Sequence, residues 1–143
     1  MKSIATLLLL GLILVSCNSS KSAIKKPSNS NVAVQDTVRI ANDSLEYEIL
    51  IIEPGFNSWL ASTAKPEGFY SQEYLENRNR LYVMEWNQRV LQPQRYNPNL
   101  YELQIDYDPN INYGYEVNYK LYNYFIYFQL TYNQRLGPFV PRI

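Results

Sequence analysis

Apolar and polar positions divide the chain into three regions. Ile4 to Val15 is apolar throughout except for Thr6 and Gly11. Residues 18 to 43, NSSKSAIKKPSNSNVAVQDTVRIAND, show no apolar periodicity. From Ser44 onward, periods of two and of 3.6 alternate. In LEYEILIIE, residues 45 to 53, Leu45, Tyr47 and Ile49 alternate with Glu46 and Glu48 before the run turns wholly apolar. That pattern predicts a strand, half buried at first and more fully later. Pro54-Gly55 ends it. FNSWLAST then predicts a short helix with Phe56, Trp59 and Leu60 on one face, followed by a turn at Lys65-Pro66-Glu67-Gly68. Ser71 fits a helix N-cap with Glu73 in the first turn. The helix runs to about Leu91, with Leu75, Tyr82, Val83, Trp86 and Val90 on one face, and Pro93 stops it. Leu100 to Tyr107 sets Tyr101, Leu103, Ile105 and Tyr107 against Glu102, Gln104 and Asp106, the clearest strand pattern in the chain.

After a turn at Asp108-Pro109-Asn110 comes the tyrosine-rich window NYGYEVNYKLYNYFIYFQLTY, residues 112 to 132. As a strand it alternates to Leu121, then the pattern inverts. As a helix from about Tyr115, it lines up Val117, Leu121, Tyr124, Phe125, Phe128 and Tyr132 in one stripe. Glu116 and Lys120 then form an i,i+4 pair worth ~0.3 kcal/mol. Tyrosine and asparagine are poor helix formers, so packing must hold such a helix. Helix is the preferred reading; a hairpin turning near Asn123 stays open. Gly137-Pro138 closes the element. The expected fold is α+β: a small sheet of two or three strands packed by one short and two long helices.

The apolar start adds an address. Lys2 precedes a run too short to cross a hydrocarbon core, which needs ~20 helical residues. Residues 1–16 therefore fit a signal peptide. The run ends Leu14-Val15-Ser16-Cys17, which resembles the lipobox of bacterial lipoproteins, and Cys17 is the only cysteine in the chain. An ordinary signal peptide with a chance cysteine is the alternative. The resemblance implies lipid attachment at Cys17 and a membrane as partner. It also implies the outer membrane, periplasm-facing, since Asn18 stands where an inner-membrane retention aspartate would. Residues 17–43 read as a flexible tether with a typical span of ~28 Å. Residues 44–143 read as one domain.

That domain carries eight basic and eleven acidic side chains, a balance that argues against nucleic acid. The chain has no histidine, so histidine triads and imidazole bases are excluded. Glu53, Glu85, Glu102 and Asp106 could supply a carboxylate pair, but their spacing singles out none. Asp106, Asp108, Asn110 and Asn112 place oxygens at every second residue, as calcium loops do, yet Ile111 and Val117 stand where such a loop needs glycine and glutamate. No catalytic residue, metal or cofactor is assigned. Trp59, Trp86, Tyr115, Asn118, Tyr119 and Tyr122 could form an aromatic and amide surface for a glycan or small ligand. The same residues also suit the edge of a core.

Together, IIEPGFNSWL, YLENRNRLYVMEWNQRV and YDPNINYGYEVNYKLYNYFIYFQ resemble an uncharacterised lipoprotein family of Bacteroidetes-type bacteria, a domain of unknown function. The likeness runs from Glu48 to Leu136. It implies a cell-envelope location and supplies no activity. The expectation is therefore a lipid-anchored envelope protein, not an enzyme, with a structural or interaction role. The alternative is a binding module for envelope glycan or a small periplasmic ligand.

Overall fold

The computed structural model describes residues 37–42 and 47–143; the apolar start, Cys17 and most of the expected tether lie outside the described residues. Two strands, β1 (Thr37–Asn42) and β2 (Tyr47–Ile52), pair antiparallel from Thr37 opposite Ile52 to Asn42 opposite Tyr47. Three helices follow among the described residues: α1 (Phe56–Ser62), α2 (Gln72–Val90) and α3 (Gly114–Thr131). Strand β1 falls within the segment read as tether, so regular structure begins before Ser44.

Local chemistry accounts for the helix ends. At α1, Gly55 stands at the N-cap with φ 82°, a left-handed conformation that favours glycine. A Cβ there would also meet the Tyr127 hydroxyl at 3.0 Å. Ser71 caps α2 by accepting from the Tyr74 N–H at 3.2 Å, with Glu73 in the first turn and Arg89 in the last. Asn133, at φ 50°, turns the chain just after α3, ahead of the expected stop at Gly137-Pro138.

Helix α3 is the centre of the described body. It packs against α2, α1 and β1. Its buried residues include five of the expected stripe, Val117, Leu121, Tyr124, Phe125 and Phe128, and also Asn118, Tyr119, Tyr122, Asn123, Ile126 and Gln129, while the sixth, Tyr132, is half-buried at the C-cap. Burial thus extends well beyond one face, which is why the helix survives its poor propensities. Aromatic contacts dominate: Trp86 meets Phe128 edge-on at 4.8 Å and Tyr101 at 5.0 Å, and Tyr82 lies 5.5 Å from Phe125.

The α+β expectation is corrected by this architecture. The described body is mainly helical, and its core is built by helix on helix. Among the described residues, no sheet beyond the hairpin forms a layer for the helices to cover. The only paired strands among the described residues are the two of the hairpin. The strand expected at Leu100 to Tyr107 is irregular. Its alternation was real as burial, since Tyr101 and Ile105 point inward while Leu103 is 78% exposed. Its backbone, however, pairs with side chains of α2 and not with a strand. Trp86 Nε1 donates to the Leu103 carbonyl at 2.9 Å. Asn87 donates to the Ile105 carbonyl at 2.9 Å and accepts from the Ile105 N–H at 2.8 Å, as a neighbouring strand would.

Asn87→Ala should therefore cost ~1–3 kcal/mol in urea unfolding, because it strands both polar groups of Ile105. Leu103→Ala, which removes an exposed side chain, should change stability by less than ~0.5 kcal/mol.

Candidate functional site

The six residues expected to form a ligand surface do not all share one. Trp86 is buried in the α2–α3 core. Asn118 is fully buried. Its Oδ1 accepts from Asn79 Nδ2 at 3.1 Å and from the Tyr107 hydroxyl at 2.7 Å. Its Nδ2 donates to the Gly114 carbonyl at 2.8 Å, one turn back. Tyr122 is buried against Tyr70, Tyr74 and Tyr82. Tyr119 is buried too, and its hydroxyl donates to the Lys65 carbonyl at 2.8 Å. Tyr115 stacks on Tyr119 at 6.1 Å, and its hydroxyl accepts from the Gly68 N–H at 2.6 Å. Trp59 packs against Phe56 and Tyr127, and with Tyr122 it lines a small pocket of about 10 Å³. The phenols at these positions tie the 65–68 turn and the helices together. The structure thus assigns Trp86, Asn118, Tyr119 and Tyr122 to the interior.

The carboxylates considered for paired chemistry also go separate ways. Glu85 bridges Arg89 at 2.7 Å, and Arg89 Nη1 donates to the Tyr101 hydroxyl at 2.8 Å. Glu102 and Asp106 are exposed. Glu53 is buried at the end of the hairpin, where Tyr132 donates to its Oε1 at 2.8 Å. Burial pushes the Glu53 carboxyl above the usual range, and the Tyr132 bond offsets part of the shift. That bond, with burial, pushes the Tyr132 phenol up to about 12. Tyr124 is raised first by burial and then by the charge on Glu53.

A concavity lies elsewhere, against the oxygen-rich loop. A cleft of about 240 Å³ opens between α2 and the loop 107–112. Gln72, Glu76 and Arg80 line one wall, and Tyr107, Asn110 and Asn112 lie opposite. Spacing of four residues puts the first three on one helix face. Glu76 Oε1 accepts from Gln72 Nε2 at 2.7 Å and from Asn118 Nδ2 at 3.5 Å. Arg80 reaches the Pro109 carbonyl at 3.4 Å. Burial, and then the charge on Glu76, push the Tyr107 phenol up to about 12, while Arg80 opposes them. Behind this wall, Asn79 Nδ2 also donates to the Asn118 carbonyl at 2.9 Å, while Asn79 Oδ1 is buried without a partner.

The oxygen-rich loop in this cleft holds itself instead of presenting a cage. Asp108 Oδ1 accepts from the N–H and the side-chain amide of Asn110, at 2.8 and 2.9 Å. Asn112 Oδ1 accepts from Gln72 at 2.9 Å and from the Gly114 N–H at 3.0 Å. Among the described residues, no group of three or more metal-ligating side chains gathers. Nor is any described helix long and apolar enough to cross a membrane.

The chain belongs to a family of unknown function, DUF6146, whose model matches residues 5–140. No curated protein and no solved structure gives a significant match.

The buried glutamate makes a pH dependence. A carboxyl whose folded pKa is raised contributes stability that is complete below the unfolded value and lost as pH rises through the folded one. Glu53→Gln removes the charge and keeps an oxygen for Tyr132. Its stability relative to the native chain should therefore improve as pH rises through and above the ordinary glutamate range. Urea midpoints across that range check it; a gap independent of pH would contradict it.

Proposed function

We propose that this chain is a lipid-anchored cell-envelope protein whose helical domain has a structural or interaction role and no catalytic one. The supporting observation is the lone cysteine: Cys17 follows Leu14-Val15-Ser16 at the end of a short apolar run that begins behind Lys2. Acyl chains on Cys17 would anchor the domain, since each buried methylene contributes ~0.8 kcal/mol and two or more chains hold firmly. The proposed site is the outer membrane, facing the periplasm. A second reading, a binding module for a small polar ligand, is favoured by the cleft between Gln72, Glu76 and Arg80 and the 107–112 loop. Its residues differ from the tyrosine and tryptophan surface considered from the sequence.

Mass spectrometry of material from the native host should find Cys17 as the N-terminal residue, carrying acyl mass. Cys17→Ser should move the protein from the membrane to the soluble fraction. An unmodified thiol, or unchanged membrane retention of Cys17→Ser, would refute the anchor.

A further inference from the structure

We propose that the cleft between α2 and the 107–112 loop binds a small zwitterion of the amino-acid type, its ammonium on Glu76 and its carboxylate on Arg80. This ligand class rests on the binding-module reading above.

The main observation is an ion pair that stays open. Helix α2 carries two glutamates each followed four residues later by an arginine, Glu76–Arg80 and Glu85–Arg89, and α3 carries Glu116–Lys120. All three have the favourable order on a helix. Glu85–Arg89 closes at 2.7 Å and Glu116–Lys120 at 2.6 Å. Among the described residues, no salt bridge joins Glu76 to Arg80. Glu76 is drawn away by Gln72 and by the buried amide of Asn118. Arg80 turns instead toward the Pro109 carbonyl, at a long 3.4 Å. Opposite charges are therefore held apart on one wall of a cleft, each with capacity to spare. Both bonds to Glu76 fall on Oε1, which leaves Oε2 unused. Most of the donors of Arg80 are unused as well.

Three further features suit this ligand. The two charges cancel, so a neutral zwitterion matches them better than a simple cation or anion. About 240 Å³ is below the ~300–1,000 Å³ of drug-sized sites and fits a small solute. Two lining groups are held from behind: the buried Asn118 donates to Glu76 at 3.5 Å and accepts from the Tyr107 hydroxyl at 2.7 Å, so the carboxylate and the phenol are positioned before a ligand arrives.

Calorimetric titration of the full-length protein, solubilised in detergent, tests the assignment. The probes are glycine, L-alanine and L-alanyl-L-alanine, with propionate, ethylamine and glucose as controls. Saturable binding of at least one zwitterion is expected, with none of propionate or ethylamine at the same concentration. Arg80→Ala and Glu76→Gln should each weaken that binding roughly ten- to a hundredfold, the loss of one charge-assisted contact. Arg80 is exposed, so Arg80→Ala folds and decides the matter even if Glu76→Gln is unstable. Three results would each overturn the proposal: no binding of any zwitterion, equal binding of propionate or ethylamine, or unchanged affinity in Arg80→Ala. Binding of glucose alone would also overturn it, while leaving the binding-module reading in place.

Discussion

The packing of α3's aromatic rings onto α2 is the interaction on which the rest depends. A helix rich in tyrosine, asparagine and β-branched neighbours has little reason to form by itself. Here it is enclosed by α2, α1 and β1, and its rings find edge-on or tilted partners in Trp86, Tyr82, Tyr101 and Phe56. Each such contact adds ~0.5–1.5 kcal/mol beyond the area it buries. Fixing Trp86 in this core also fixes its N–H, which holds the extended 100–107 segment at Leu103. That segment in turn places Tyr107 and the cleft loop. The cleft is thus a consequence of the core, reached through one tryptophan and one neighbouring asparagine.

The polar interior follows the same logic. Asn118, Asn123 and Gln129 lie within α3, and each donates back to the carbonyl four residues earlier, at 2.8 to 3.0 Å. This local bond satisfies part of each buried amide and leaves the oxygen for another element. Gln129 uses its oxygen to hold the Leu136 N–H at 2.7 Å, closing the chain after the helix. Asn118 uses its own for Asn79 and Tyr107, joining α2, α3 and the loop. Buried amides here set the positions of elements that aromatic packing alone would leave free to slide.

Much of this was legible in the chain. Ser71 and Pro93 bracket α2 because capping and the missing proline N–H act locally. Val117, Leu121, Tyr124, Phe125 and Phe128 are buried as their period implied, and Tyr132, the last of the stripe, is half-buried at the helix end. Periodicity reports burial and does not report who supplies hydrogen bonds. For that reason Leu100 to Tyr107 read as a strand, although the amide of Asn87 was to be its partner. Tyr119 and Tyr122 lie outside that stripe, and periodicity alone does not show that a helix enclosed on several sides buries them too. The cleft was invisible for a related reason. Glu76 and Arg80 have the spacing of an ordinary closed pair, and only the tertiary placement of Gln72 and Asn118 opens it.

Native-state hydrogen exchange of α3 tests the central claim most directly. If packing onto α2 holds the helix, the amides from Leu121 to Phe128 should exchange only through global unfolding, and a core truncation such as Phe125→Ala should speed them together with those of α2. Fast exchange along α3 while α2 stays protected would show that the two helices are not one unit, and would contradict the account.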